Sequence, residues 1–290
     1  MVGIDSNLRH SHLFAVSGSG KTRLSLEGLC QNWGIYISCR SDRPASGSRD
    51  FAAATQLLGN MSTWNRTDNA NNFLQNAAAA ERVFAMLLCA RLFILHQYLQ
   101  EVPVNTDPTV ARRRWVLAQV LPPTNAADIF VTMVAALRHG DTHIMRKLTC
   151  NILCKFSRSN PGLFSTKERF FVVIDESQVA ANQFTCNFRS SEGNKPCPIL
   201  REMYQYFDSL KIFAGIILSG TGLSMSMVNE AVKSVSAKMG NVQHVITDVK
   251  CFTTDDPGPQ MAYFNRYLTF SDSPSDLRLL QRMRYWLFGR

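Results

Sequence analysis

LFAVSGSGKTRLSLEGLC, residues 13–30, is the stretch on which the reading of this chain turns. An apolar run, HLFAV, ends in a turn of alternating serine and glycine. A lysine and a threonine follow, and LSLEGLCQNW then has the composition and spacing of a helix. The order is strand, loop, helix, and GIYIS at 34–38 supplies the next β-rich run, which makes a first βαβ unit. A loop that cradles phosphate needs glycines, so that consecutive backbone N–H groups can curl around the anion without a Cβ in the way. It also needs a lysine that reaches the β- and γ-oxygens and a neighbouring hydroxyl that holds Mg2+. Ser17, Gly18, Ser19, Gly20, Lys21 and Thr22 supply these parts, and a helix starting near Lys21 aims its positive end at the anion. Arg23, next on the helix, is taken with the cofactor-binding set, its plain alternative being a solvated helix surface. Only the first glycine of the GxxxxGK[ST] pattern is missing, and Ala15 stands in its place. That position starts the turn without touching phosphate, so alanine is costly there only if the backbone must take a positive φ.

A glycine-serine turn before a helix explains this stretch on its own; a second motif changes the balance. ERFFVVIDESQVA, 168–180, holds a continuous apolar run, as a parallel strand buried on both faces requires, followed by two adjacent carboxylates. Asp175 is placed to hold Mg2+ through water, and Glu176 to polarise the attacking water of a nucleotide hydrolase. A third run, SLKIFAGIILSGTGLS at 209–224, repeats the pattern of a buried strand ending in a polar, glycine-containing turn. Thr221 or Ser219 falls where such a sheet sets a polar residue near the γ-phosphate, and either residue also suits a helix N-cap.

Between these motifs, residues 39–72 have loop chemistry around one short helix near 51–58. The spacing predicts a helix over 76–101, stopped before Pro103, and others over 107–120, 125–139 and 142–157. An all-helical insert of about 76–157 therefore separates the first two strands from the third. NFRSSEGNKPCP (187–198) reads as a loop, ILREMYQYF (199–207) as a helix, and QHVIT (243–247) as a fifth strand after a helix near 224–239. A final helix is expected over 274–288.

Composition narrows the function classes. The 290 residues carry 31 Lys+Arg against 22 Asp+Glu, a formal net charge of +9 that suits anionic partners such as nucleotides, nucleic acid or a membrane face. At 46% hydrophobic residues a packed core is within reach. No uncharged apolar run attains the ~18 residues of a membrane span, since the longest candidate, Val83 to Leu95, is broken by Arg91. The opening MVGIDSNLRHSHLF lacks the apolar core of a signal peptide, and an intracellular location, cytoplasmic or nuclear, is expected. The eight cysteines lack paired CxxC spacing and read as free thiols; Cys150 and Cys154 share a helix face but have no matching metal-ligand pair. No HExxH and no GxSxG occurs, which removes support for zinc-peptidase and serine-nucleophile chemistry. Arg49, Arg189 and Arg201 are candidates for a catalytic arginine at this site or a neighbouring subunit's. Arg112-Arg113-Arg114-Trp115 either contacts nucleic acid or is a solvated helix face.

With SGSGKTR, VVIDESQ and LSGTGLS in hand, the chain resembles the P-loop ATPases of the additional-strand, catalytic-glutamate class. More narrowly, it is similar to the ATPase domain of fungal Crinkler-type and retrotransposon-hot-spot-like proteins, in which a nucleotide-binding domain is joined to a nuclease-like toxin or effector domain. GSRD at 47–50 and the closing YWLFGR at 285–290 also resemble that group. The resemblance implies a three-layer α/β fold with a five-stranded parallel sheet of order 5-1-4-3-2, and ATP with Mg2+ as ligands. It implies Lys21 and Thr22 at the phosphates and metal, Asp175 at the metal and Glu176 as catalytic base. It also implies an ATPase domain over 1–270, with 271–290 the start of a helical lid that is cut short at Arg290. Three functions stand open: a Mg-ATP-binding domain with slow or regulated hydrolysis that acts as a conformational switch; a non-catalytic interaction module or degenerate effector fragment that keeps the fold; and a nucleic-acid-associated ATPase. A site without its own arginine favours self-association or a partner protein that supplies one.

Overall fold

A computed structural model describes residues 10–15, 20–40, 47–61, 64, 70–103, 105–121, 127–159, 170–189, 195–221, 243–246, 271 and 273–287, with single positions 226, 228, 230, 258, 261 and 265. Along the chain the elements are β1 (His10–Ala15), α1 (Lys21–Gln31), β2 (Gly34–Ser38), α2 (Asp50–Gly59), α3 (Ala70–Glu101), α4 (Pro108–Val120) and α5 (Ile129–Ala136), which a 3-10 turn (Leu137–His139) continues. Then come α6 (Thr142–Ser159), β3 (Phe171–Asp175), α7 (Ser177–Ala181), β4 (Phe188–Arg189), β5 (Pro196–Cys197), α8 (Ile199–Ser209), β6 (Gly215–Thr221), β7 (Gln243–Ile246) and α9 (Pro274–Leu287).

Five of these strands form one sheet in the order β2-β3-β6-β1-β7, and every neighbouring pair is parallel. Counted along the chain within that sheet, the order is 5-1-4-3-2. Every residue of β2 and β3 is buried, as expected of strands covered on both faces by helices. The two-residue alternation of side chains divides them between two packing layers. Ile35, Ile37, Val172, Ile174, Ile216 and Leu218 enter the larger core with α3 and α8. Tyr36, Phe171 and Val173 face the other way and pack with Leu29 of α1 and with Val116 and Val120 of α4. The layers are helix, sheet, helix. Gly34 permits the closest crossing, since a Cβ there would stand 2.5 Å from the Phe171 carbonyl oxygen and 2.5 Å from Leu29 Cδ2.

Among the described residues the connection from β2 to β3 carries helices and no strand, α2 to α6. Three of its helices carry aspartate caps: Asp107 accepts from the Thr109 and Val110 N–H groups ahead of α4, with Pro108 in the first turn, Asp128 accepts from Phe130 N–H ahead of α5, and Asp141 accepts from Ile144 N–H ahead of α6. α3 starts at Ala70, six residues before the predicted start; Asn76, fully buried, donates to the Asn187 carbonyl at 3.0 Å and anchors this polar first half. α5 is shorter than its expected span because Asp128 fixes its beginning.

Arg91, read from sequence as the break in an apolar run, is buried inside the helical layer. Its Nε and Nη2 reach both oxygens of Asp50 at 2.5 and 2.8 Å, its Nη1 donates to Gln119 Oε1 at 3.1 Å, and its guanidinium lies 4.2 Å from the centre of the Phe130 ring. Gln119 and Trp115 of α4 also cap the outer edge of β2: the Tyr36 N–H donates to Gln119 Oε1 at 2.9 Å, and Trp115 Nε1 donates to the Gly34 carbonyl at 2.8 Å. The span 187–198, expected as loop, carries the small antiparallel ladder β4-β5. Within 168–180, β3 ends at Asp175, at the carboxylates expected to close it, and the unexpected helix α7 starts two residues later. The strand expected within 209–224 occupies 215–221. Most of the helix expected near 224–239 lies outside the described residues. Among the described residues no helix is long and apolar enough to cross a membrane.

Candidate functional site

The carboxyl ends of β1, β3 and β6 lie side by side, because Ala15 stands opposite Thr221 and Ile174 opposite Leu218 in the ladder. Sheets of this kind place ligand sites at that end. Ala15 is the last residue of β1, in extended backbone paired with Thr221. The missing first glycine therefore falls on a position that needs no left-handed conformation. Gly20 is different: at φ 89° and ψ 13° it directly precedes α1, a conformation that glycine adopts without strain. Ser17, Gly18 and Ser19 lie outside the described residues.

Lys21 and Thr22 open α1. Lys21 is buried, and that burial pushes its pKa below the ordinary lysine value against the opposing pull of the Glu176 and Asp175 carboxylates. Thr22 Oγ1 donates to Asp175 Oδ2 at 2.9 Å, which joins the start of α1 to the end of β3 across 153 positions of sequence. The alternation along β3 accounts for this: Asp175 has the parity of Phe171 and Val173, whose side chains face α1. Tyr36 on β2 shares that layer, and its hydroxyl donates to the same Oδ2 at 2.6 Å. Burial first, then the Asp175 charge and hydrogen bond, raises the Tyr36 pKa far above that of a solvated tyrosine, so the hydroxyl remains a donor. The Glu176 N–H donates to Asp175 Oδ1 at 3.0 Å.

Glu176 follows in left-handed backbone, φ 53° and ψ 39°, and caps α7. For a residue with a Cβ this conformation costs on the order of 1–3 kcal/mol and occurs preferentially at functional sites. The Gln178 amide donates to Glu176 Oε2, and Arg40 Nη1 stands 3.9 Å from Oε1. Ser177 Oγ donates to the Ser219 carbonyl at 2.9 Å and ties this turn to β6. Ser219 is fully buried and its Oγ has no hydrogen-bond partner among the described residues; Thr221 is half-buried beside Ala15 in register.

The arginines distribute differently. Arg23 pairs with Glu27 one turn along α1 at 2.7 Å, on the exposed helix surface. Arg49 is exposed, and its N–H donates to Asp128 Oδ2 at 3.3 Å. Arg189 lies 4.6 Å from the centre of the Phe73 ring, and Arg201 is buried against Glu202 at 2.5 Å. Arg112 donates to the Cys30 carbonyl at 3.2 Å, whereas Arg113 and Arg114 are exposed. The chain reading missed Tyr36, Gln178 and Arg40 as neighbours of the carboxylates. Tyr36 sits in a β-rich run where an aromatic needs no further explanation, and Gln178 lies past the strand end in a short helix that the sequence pattern does not mark.

Among the described residues no cluster of three or more His, Cys, Asp and Glu is found, and Cys150 and Cys154 are free thiols. The donor set at the strand ends is a hydroxyl and a carboxylate, both hard oxygens. That set fits Mg2+, which keeps several waters and takes further oxygens from substrate phosphates in place of a full protein cage. Comparison of the chain with protein-family models, with curated proteins and with solved structures finds no match.

Proposed function

We propose that this chain is a Mg-ATP-binding P-loop domain with slow or regulated hydrolysis, working as a conformational switch for an effector or partner. The observation that carries the reading is the Thr22–Asp175 hydrogen bond, with Lys21 buried beside both carboxylates. It joins the one hydroxyl expected at a nucleotide's metal to the one carboxylate expected there, from motifs 153 positions apart. In this reading Gly18, Gly20 and the start of α1 hold phosphate through backbone N–H groups, and Lys21 neutralises the β- and γ-oxygens. Thr22 and Asp175 hold Mg2+, which supplies charge neutralisation at the phosphates. Glu176 orients and polarises the attacking water, and Thr221 or Ser219 senses the γ-phosphate.

The test uses a fluorescent ATP analogue with Mg2+. Lys21→Ala is expected to lose at least tenfold in affinity, and equal binding by the two proteins overturns the reading. In the same preparation Glu176→Gln keeps binding while steady-state hydrolysis falls by about two orders of magnitude or more. One observation favours a second reading, a non-catalytic interaction module: the Glu176 carboxylate is held by Gln178 and faces Arg40, which restrains a general base. Steady-state ATPase activity that depends on Glu176 ends that second reading.

A further inference from the structure

Building on the nucleotide-binding reading, we propose that Tyr36 is a positioning residue of the metal site: its hydroxyl orients the Asp175 carboxylate toward the water shell of Mg2+. An ionised carboxylate offers about four lone-pair directions. Tyr36 OH and Thr22 Oγ1 both donate to Oδ2, at 2.6 and 2.9 Å, and the Glu176 N–H donates to Oδ1 at 3.0 Å. With Oδ2 filled by two hydroxyls, the remaining acceptor direction on Oδ1 is the one available to a metal-bound water.

Three further contacts hold the tyrosine in this place. Its backbone N–H is fixed by Gln119 of α4. Its ring is backed by Gly47, where φ is 100° and a Cβ would come 3.1 Å from Tyr36 Cε1 and 3.1 Å from Ser38 Cβ. Its ring is also packed in the layer with Val116 and Val173. Phenylalanine would fill the same space, so what tyrosine adds is the donor. A buried hydroxyl is retained at a cost unless it finds a partner, and here the partner is the proposed metal ligand. Outer partners of this kind fix the geometry of a ligand group, and their loss lowers metal affinity by roughly 10–100-fold.

Tyr36→Phe tests the role. Binding of the fluorescent ATP analogue is followed while Mg2+ is titrated, and again in excess EDTA. The expected result is a half-saturating Mg2+ concentration raised about tenfold, with affinity in EDTA and the thermal unfolding midpoint both near wild type. An unchanged Mg2+ requirement overturns the proposal, as does an equal loss of affinity with and without Mg2+, because that is the mark of a merely structural residue. If Tyr36→Phe fails to fold, Gly47→Ala, which pushes on the ring edge, is expected to raise the Mg2+ requirement in the same sense, and no change there overturns the proposal. A wild-type chain that binds no nucleotide, indistinguishable from Lys21→Ala, overturns the underlying reading and this proposal together; nucleotide binding with an unaltered Mg2+ requirement overturns this proposal alone.

Discussion

At Lys21 burial and two carboxylates pull in opposite directions, and burial prevails, so its pKa lies below that of a solvated lysine. The sign of the pH effect follows. Between the lowered folded value and the ordinary unfolded one, the folded chain holds fewer protons than the unfolded chain, so this group contributes stability that grows as pH rises through that window. Under the proposed nucleotide-binding reading, phosphate oxygens arriving at Lys21 would restore the charged form, so binding would take up protons. Calorimetric titrations in buffers of different ionisation enthalpy are expected to show uptake increasing from neutral toward alkaline pH, with affinity falling over the same range. Proton release contradicts the placement of Lys21 at the phosphates. Asp175 and Glu176 were legible from the chain because they close an apolar run, and Lys21 and Thr22 because they follow a glycine-serine turn in the GxxxxGK[ST] spacing. Tyr36 was not, since its hydroxyl matters only through a neighbour 139 positions away. The left-handed backbone of Glu176 was equally hidden, and it turns the chain from the end of β3 into α7, a helix the sequence pattern does not mark.

The helical layer holds a fully buried ion pair. Asp50 at the start of α2 and Arg91 in the middle of α3 are fully buried and joined through two hydrogen bonds. Asp50→Ala leaves the Arg91 cation buried without its carboxylate, and urea unfolding is expected to show a loss of about 3–5 kcal/mol. Joint replacement with Leu at 50 and Met at 91 is expected to recover most of it, because a well-packed apolar pair needs no desolvation of charge. A loss under 1 kcal/mol for the single change contradicts this account. Periodicity located the helices and strands of this region well; it placed their ends less well. α3 begins earlier than predicted through a buried asparagine bond, α5 begins later through its aspartate cap, and both depend on single side chains that apolar spacing does not register. The parallel order of the sheet came from family resemblance and not from the residues of the strands, whose apolar runs carry no partner information.

For the molecule as a whole, the excess of basic residues sets its behaviour toward polyanions. With 31 Lys+Arg against 22 Asp+Glu, and with Arg113 and Arg114 exposed on α4, weak sequence-independent association with DNA or RNA is expected at low ionic strength. Such binding is expected to fade by physiological salt and, if the proposed ATP hydrolysis holds, to leave turnover unstimulated. Binding that persists, with stimulated turnover, instead favours a nucleic-acid-associated ATPase. Charge governs encounters through the solvent, but strands meet through backbone groups. A bare strand edge is a template on which an identical chain can add itself and continue indefinitely. On the β2 side of this sheet, Gln119 and Trp115 already occupy the Tyr36 N–H and the Gly34 carbonyl. At these two groups α4 takes the place of a further strand, and crowded copies of the chain cannot polymerise through them while α4 stays seated.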